Sequence, residues 1–307
     1  MIKINRLYII LTLLSSCVTT KTALKNFNNA EYYDAATKFE KIIKEGDSQN
    51  SFLLGEALRK SNRLWQAQKY YTDAINYGYK EEIAYYYLAL SLKSNNDYDK
   101  ADSLISNYLG KGKDQNVISL MRRELQYINN LKNYPDTSYY RVKNLNAINT
   151  VFAEYSPSFS NDKLYFVSNR VSEKIYSGTG TPFTDLFEVK TRGANVDLNS
   201  LKKLDDNINN EKVNEGSITF SEDGMYMIFA KGNDGKNSGR NNVDLYWSRF
   251  RRGGWTNPRL LNVNTSRSWD STPYLSKDGK TLYFASNRSK GYGGTDIYKA
   301  NVNRRGR

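Results

Sequence analysis

Apolar residues in the first half of the chain recur at the spacing of amphipathic helices. Ala35, Ala67 and Ala101 each follow an aromatic residue or a leucine by three positions and precede another large side chain by four. Residues three and four apart lie on one face of an α-helix, so the pattern predicts helices that bury a small residue against a neighbour. Residues 115–133 continue the pattern and predict a last helix, which Pro135 would end.

The same half of the chain contains an internal repeat. The three alanines follow one another at almost equal intervals. The interval is close to the period of the TPR repeat, roughly 34 residues, in which two antiparallel helices form one unit. Leu54-Gly55 and Leu88-Ala89 match the Leu-Gly pair of that family, at a point where the helices cross too closely for a bulky side chain. Residues 17–134 therefore resemble a TPR array of about three repeats followed by a capping helix.

The TPR resemblance implies a concave groove, lined by the first helix of each repeat, that binds an extended or helical peptide with some acidic character. The pattern does not match the carboxylate clamp of chaperone-binding TPR proteins. An alternative is that these side chains only pack against the N-terminal segment. The groove positions carried over from the family are Phe52, Glu56, Arg59, Tyr86, Leu90 and Lys93.

The second half of the chain, residues 136–307, has the alternating pattern of β-strands and carries most of the glycine and proline. One motif occurs three times, at 156–170, 216–232 and 271–288: an apolar strand ending in serine, a turn and an aromatic strand. A strand that begins with aspartate follows each copy. The turns of copies two and three contain Asp-Gly, a strong hairpin signal because glycine accepts a positive φ. Copy one has Asn161-Asp162-Lys163 instead, so we expect a different turn there.

These copies resemble blades of a WD40-like (TolB-type) β-propeller. The predicted fold class is therefore α+β and multidomain, with an all-α TPR solenoid followed by all-β propeller blades over residues 135–307. We expect the strand-leading aspartates to cap turns or to pair with Arg170 or Arg288, and not to act in catalysis or metal binding. The structural positions singled out in the blades are Asp185, Asp223, Gly224, Asp244, Asp278, Gly279 and Asp296.

Three blades are fewer than the roughly four to eight that close a propeller. Residues 139–145 look like an outer strand that would complete a later blade. The sequence pattern therefore indicates the front part of something longer.

The N-terminus predicts an export signal. Lys3 and Arg6 precede a short apolar run, too short to span a bilayer comfortably, and residues 1–16 are interpreted as a signal peptide. The run ends in Leu14-Ser15-Ser16-Cys17, which resembles the lipobox of bacterial lipoproteins and implies lipidation at Cys17. The resemblance to bacterial lipoproteins implies the outer membrane, because Val18 stands where an inner-membrane lipoprotein would have aspartate. The absence of an acidic cluster after Cys17 implies the periplasmic face of that membrane. The alternative is an ordinary signal peptide with an incidental cysteine.

Composition narrows the chemistry. The chain has no histidine and one cysteine, which excludes Ser-His-Asp and Cys-His nucleophiles and zinc sites built on His or Cys. Paired carboxylates or a lysine are not excluded, but no cofactor or metal is expected. The net charge of +13 is spread thinly along the chain, which favours solvated faces over a nucleic-acid site.

Lipobox, TPR array and WD40-like blades, in this order, resemble the N-terminal part of OmpA-family envelope lipoproteins, among them members associated with type IX (Por) secretion and gliding. That resemblance implies a non-catalytic scaffold that binds other envelope proteins through the TPR groove and the blades. Two alternatives stay open. One is the propeller part of an envelope hydrolase, a glycosidase or a peptidase, and the other is a TolB-like translocation partner.

Overall fold

The computed structural model describes residues 18–133, 142, 144–193, 195–232, 243–266 and 268–302. Within these residues the chain is a mixed α+β protein. The α-helices all lie before residue 134, and antiparallel sheets begin at residue 154.

Seven α-helices form the first part of the described chain, and consecutive helices pack against each other. A residue in the left-handed conformation recurs in three of the connecting loops: Ala30, Asn62 and Asn96 have φ angles of 61°, 62° and 61°. Each of the three precedes a repeated alanine by the same number of positions. The helices therefore form three similar pairs and a final single helix. Their bounds are α1 Thr20–Asn28, α2 Tyr32–Ile42, α3 Ser48–Lys60, α4 Gln68–Asn76, α5 Ile83–Ser94, α6 Tyr98–Leu109 and α7 Gln115–Asn133.

Small residues let paired helices approach closely. Gly55 in α3 lies directly against the ring of Tyr71 in α4, and a Cβ on Gly55 would come within 2.8 Å of Tyr71 Cε1. Tyr71 is fully buried, and its hydroxyl donates a hydrogen bond of 2.7 Å to Glu56. Ala67 and Ala101 are fully buried in the same core.

The second part of the described chain contains three antiparallel sheets of similar topology. The first has the order β1-β2-β5-β6, the second β10-β9-β8-β7 with β11 beside β9, and the third β12-β13-β14; β3 and β4 form a separate hairpin. The strands are β1 Glu154–Ser160, β2 Lys163–Ser168, β3 Ile175–Tyr176, β4 Thr181–Pro182, β5 Asp185–Arg192, β6 Asn195–Lys203, β7 Asn214–Phe220, β8 Tyr226–Gly232, β9 Val243–Arg251, β10 Gly254–Trp255, β11 Arg259–Leu260, β12 Asp270–Leu275, β13 Thr281–Ser286 and β14 Asp296–Asn301.

The three sheets stack face to face. Alternate side chains of a strand point to opposite faces, so a sheet can pack on one neighbour with each face. One face of the first sheet carries Tyr165, Val167 and Leu186, which are buried against the second sheet. The equivalent face of the second sheet is buried against the third, and it consists of Ile228, Ala230 and Leu245. Each interface is thus built from the same three positions of the repeat.

An asparagine joins each sheet to the next. Asn209 precedes the second sheet, yet its side chain bonds back to Leu186 of the first: the Leu186 N–H donates to Oδ1 at 2.8 Å, and Nδ2 donates to the Leu186 carbonyl at 3.1 Å. Asn264 makes the same pair of bonds to Leu245 at 2.8 Å each. We call these contacts asparagine bridges. They fix the first strand of one sheet against the third strand of the sheet before it.

Each sheet also contains one ion pair at the same place. An acid at or next to the start of the first strand meets a basic residue near the end of the second strand. The basic side chain also donates to a backbone carbonyl upstream, as Arg288 does to Val263 at 3.0 Å. The three pairs are Glu154–Arg170 at 3.0 Å, Glu215–Lys231 at 2.9 Å and Asp270–Arg288 at 2.8 Å.

The outer strand predicted at 139–145 falls mostly outside the described residues, and Val142, Asn144 and Leu145, which are described, form no strand. Cys17 and the signal segment also lie outside the described residues. Among the helices that are described, none has the length and hydropathy needed to cross a membrane.

Candidate interaction site

Two of the six predicted groove residues are buried inside the helical part. The ring of Phe52 stacks on that of Tyr79 with centroids 4.2 Å apart. Glu56 accepts two hydrogen bonds from Arg59, at 2.8 and 2.7 Å, and one from Tyr71. Although burial lowers the pKa of Arg59, Glu56 holds it above its usual value. These side chains therefore satisfy one another inside the core.

The other groove positions lie nearer the surface. Lys93 forms an ion pair with Glu124 of α7, and its ammonium group lies 4.1 Å from the ring centroid of Tyr127. Tyr86 and Leu90 are partly exposed. Burial makes Phe52 and Glu56 unavailable to a peptide, and a groove at the other positions stays a prediction.

The Asp-Gly positions of the blades have a structural role in their turns. Asp223 accepts hydrogen bonds from the Ser221 hydroxyl at 2.5 Å and from the Met225 N–H at 2.9 Å, and these bonds lower its pKa. Asp278 accepts equivalent bonds from Ser276 and Lys280, which likewise lower its pKa. The glycines that follow, Gly224 and Gly279, have φ angles of 66° and 68°.

The strand-leading aspartates were predicted to cap turns or to pair with Arg170 or Arg288, and the arginine pairing is wrong. Arg170 and Arg288 pair with the acids that begin β1 and β12, because those acids lie directly opposite the ends of β2 and β13. Asp185 pairs instead with Lys203 at 3.0 Å. Asp296 accepts from the Gly293 N–H at 3.2 Å and so caps a turn. For Asp244, burial and the nearby Asp270 raise the pKa.

Two acids at the same repeat position differ in their electrostatics. Burial raises the pKa of Glu215 to about 8, and Lys231 only partly offsets that effect. Burial also acts to raise the pKa of Glu154, but hydrogen bonds from Thr150 and Ser168, together with Arg170, bring it below its usual value. Strand β1 lies at the front of the stack and keeps its acid in a more polar setting.

A large cavity lies where the helices meet the sheets. We call it the junction cavity; its volume is about 1060 Å³. The turns after α1 and α3 form one wall, and the loops at one end of all three sheets form the other. Five aromatic side chains line it, namely Tyr32, Tyr33, Tyr155, Tyr176 and Trp269.

A close backbone contact holds the two walls together. The Tyr33 N–H at the start of α2 donates a hydrogen bond of 3.1 Å to the carbonyl of Ser177, in the turn of the β3–β4 hairpin. Gly180 of the same turn has a φ of 74°, and a Cβ there would come within 2.0 Å of the Tyr33 ring. Only glycine fits this position, on grounds of both conformation and space.

The charged residues that line the junction cavity are both basic. Lys60 and Arg63 line it, and no aspartate or glutamate is among its described lining residues. Arg63 donates from Nε to the Ser61 hydroxyl at 3.0 Å and lies 4.7 Å from the Tyr33 ring centroid, while its Nη2 is buried without a hydrogen-bond partner. Burial lowers the pKa of Arg63. The nearby Glu40 partly offsets this effect, and an anionic group in contact with Nη2 would supply the acceptor that this nitrogen lacks.

No local sequence pattern predicts this site. Tyr33, Arg63 and Gly180 come from three separate segments, and only the packing of helices on sheets unites them. The one signal in the sequence was the Ser177-Gly178-Thr179-Gly180 insertion between two predicted strands of the first copy. Within the described residues there is also no cluster of three or more acids, histidines or cysteines that could hold a metal ion.

Comparison with known proteins identifies no family for this chain. Neither a family model nor a curated protein matches the chain. A solved structure described as "Structural and Mechanistic Analysis of Two Prolyl Endopeptidases: Role of Inter-Domain Dynamics in Catalysis and Specificity" is 11% identical, over 48% of this chain and 20% of that one, with a TM-score of 0.29. A TM-score this low carries no argument about fold or activity.

Proposed function

We propose that the chain is a non-catalytic scaffold of the bacterial envelope, in which a TPR array and a set of β-propeller blades together bind an acidic peptide segment of another envelope protein. The observation that carries this proposal is the junction cavity, with two cations, five aromatic side chains and no carboxylate among its described lining residues. Aromatic rings and arginine are the side chains that most often anchor a protein segment.

Both the helices and the sheets support the fold assignment in this proposal. Three helix pairs, with a left-handed residue at the same point of each, fit TPR units. Three antiparallel sheets that stack through the same positions fit propeller blades. The remaining elements of the proposal come from sequence patterns and not from the described structure. The N-terminal residues suggest a lipid anchor at Cys17 and the outer membrane as location, and the order of lipobox, TPR array and blades suggests a role beside type IX secretion or gliding.

Replacing Arg63 by glutamine is expected to weaken binding of acidic peptides. A hydrogen bond to a charged group contributes about 1.5 kcal/mol or more, so the affinity should fall about tenfold. The measurement is fluorescence anisotropy of the purified chain with labelled short peptides that share aromatic content and differ in net charge.

The matched control is Lys111→Gln, which removes one positive charge at an exposed position after α6. This variant should bind like the wild type. Binding that shows no preference for acidic peptides, or that Arg63→Gln leaves unchanged, would contradict the proposal.

Replacing Cys17 by alanine is expected to release the protein from the membrane. In a bacterial host that processes lipoproteins, a fatty-acid probe should label the wild type, and Cys17→Ala should be unlabelled and soluble in the periplasm, because the acylated sulfur is gone. The lipid anchor is excluded if the alanine variant carries as much label and stays in the membrane fraction.

A further inference from the structure

No described residue covers one apolar face of the last of the three stacked sheets. Tyr283, Ala285 and Ile297 occupy the positions that Tyr165, Val167 and Leu186 hold in the first sheet, and we call these three the far face. The register is the same in both sheets, with Ala285 opposite Ile297 as Val167 is opposite Leu186. Leu186 is completely buried, whereas Ile297 is 82% exposed and Tyr283 40% exposed.

Strand β1, the first strand of the stack, has an exposed apolar side chain that could pack against such a face. Phe159 of β1 is 65% exposed. Its equivalent in β7, Phe220, packs on Tyr165 of the preceding sheet with ring centroids 4.5 Å apart. The equivalent in β12, Leu275, is buried, and β12 packs against β7, β8 and β9 of the second sheet. In the second and third sheets, the residue equivalent to Phe159 thus packs against the preceding sheet.

An asparagine is also in place for a third bridge. Asn149 corresponds to Asn209 and Asn264, which bond to the third strand of the preceding sheet. The side chain of Asn149 instead donates to Asn144 close by, at 2.8 Å. By the shared register, the backbone N–H and carbonyl of Ile297 point to the open edge of β14, as those of Leu186 point to Asn209.

We propose that the far face binds the front of the first sheet in a second copy of this chain. Tyr283 and Ile297 of one copy would contact Phe159 and Asn149 of the other. The two exposed surfaces are the halves of an interface that this sequence already forms twice, which makes the chain its own best-matched partner. Two copies that bind each other reciprocally close into a ring of six sheets, within the roughly four to eight of known propellers. This proposal does not depend on the peptide site.

The test begins with the mass of the purified chain in solution. Size-exclusion chromatography with light scattering should give a dimer. Ile297→Asp and Phe159→Asp should each give a monomer, because each places a charge in both interfaces of the ring. Both positions are exposed within one copy, so circular dichroism should show unchanged folding. Leu131→Asp, at an exposed position of α7, is the control and should remain a dimer.

Mixing the two variants separates dimerisation from misfolding. A mixed dimer has one interface with both aspartates and one with neither, so a dimer should reappear on mixing, and native mass spectrometry of one isotopically labelled variant should show it to be mixed. A monomeric wild type, a dimer that neither aspartate affects, oligomers that keep growing with concentration or a mixture that stays monomeric would each overturn the proposal. So would a chain extended beyond residue 307 that stays monomeric and protects its far face.

Discussion

Gly55→Phe is expected to destabilise the helical part of the molecule strongly. A single added carbon at Gly55 would already come within 2.8 Å of Tyr71, and Tyr71 has no room to move because it is fully buried and hydrogen-bonded to Glu56. Overpacking a core costs about 1–3 kcal/mol for added methylenes, and a whole ring at a helix crossing should cost at least about 3 kcal/mol. Thermal unfolding followed by circular dichroism should show the helical signal lost at a midpoint roughly 10 °C lower or more.

Graded substitutions make this prediction specific. Gly55→Ala should be destabilised less than Gly55→Phe, since only one carbon must be accommodated. Gly110→Ala is the matched control, because Gly110 is exposed at the end of α6 and an added Cβ would come no closer than 3.7 Å to its neighbours. Equal stability of Gly55→Phe and the wild type would show that α3 and α4 do not cross at Gly55.

Asp270→Ala is expected to destabilise the sheets by about 3–5 kcal/mol. Asp270 is completely buried and bonded to Arg288 at 2.8 Å and to the Thr265 N–H at 3.1 Å. Removing it leaves the largely buried guanidinium of Arg288 without its counter-charge, which costs far more than the ion pair contributes by itself. Urea unfolding followed by tryptophan fluorescence is suitable, since Trp247, Trp255 and Trp269 all lie among the sheets.

The control for Asp270→Ala is Asp73→Ala, which removes a similar ion pair from the surface. Asp73 pairs with the exposed Lys69 one helical turn away, at 2.9 Å, and such pairs contribute less than about 1 kcal/mol. The double variant Asp270→Leu with Arg288→Met should be more stable than Asp270→Ala, because no charge stays buried. If Asp270→Ala and Asp73→Ala lower the free energy of unfolding by the same amount, the ion pair of Asp270 is not buried in solution.

Local patterns made part of this structure predictable. Helical periodicity and Pro135 predicted a helix over 115–133, and α7 spans Gln115–Asn133. The Asp-Gly pairs predicted turns, since only the local need for a positive φ decides them, and Gly224 and Gly279 have it. Features that depend on neighbours a few residues away were therefore accessible from the sequence.

The features that were not predicted from the sequence depend on packing between residues far apart in the chain. The repeated motif begins at residues 156, 216 and 271, so the acids at 154, 215 and 270 lie just outside it, and the prediction gave the arginines other partners. In the helices, the predicted groove positions were carried over from the TPR family by resemblance. Tyr71 and Tyr87 instead enclose Glu56 and Arg59, through a hydrogen bond and a ring 4.3 Å from the guanidinium. The junction cavity needed the relative position of helices and sheets, which no local pattern contains.

The asparagine bridges separate what is fixed in each repeat from what can vary. From the bridging asparagine, or its counterpart Asn149, to the acid of the same sheet, the chain has nearly the same short length every time, whereas the spacing between successive motifs differs. The difference falls in loops such as the β3–β4 hairpin, which carries no bridge. Insertions in those loops therefore need not shift one sheet against another. Related chains could differ in the binding surfaces that the loops form and keep the same packing of the sheets.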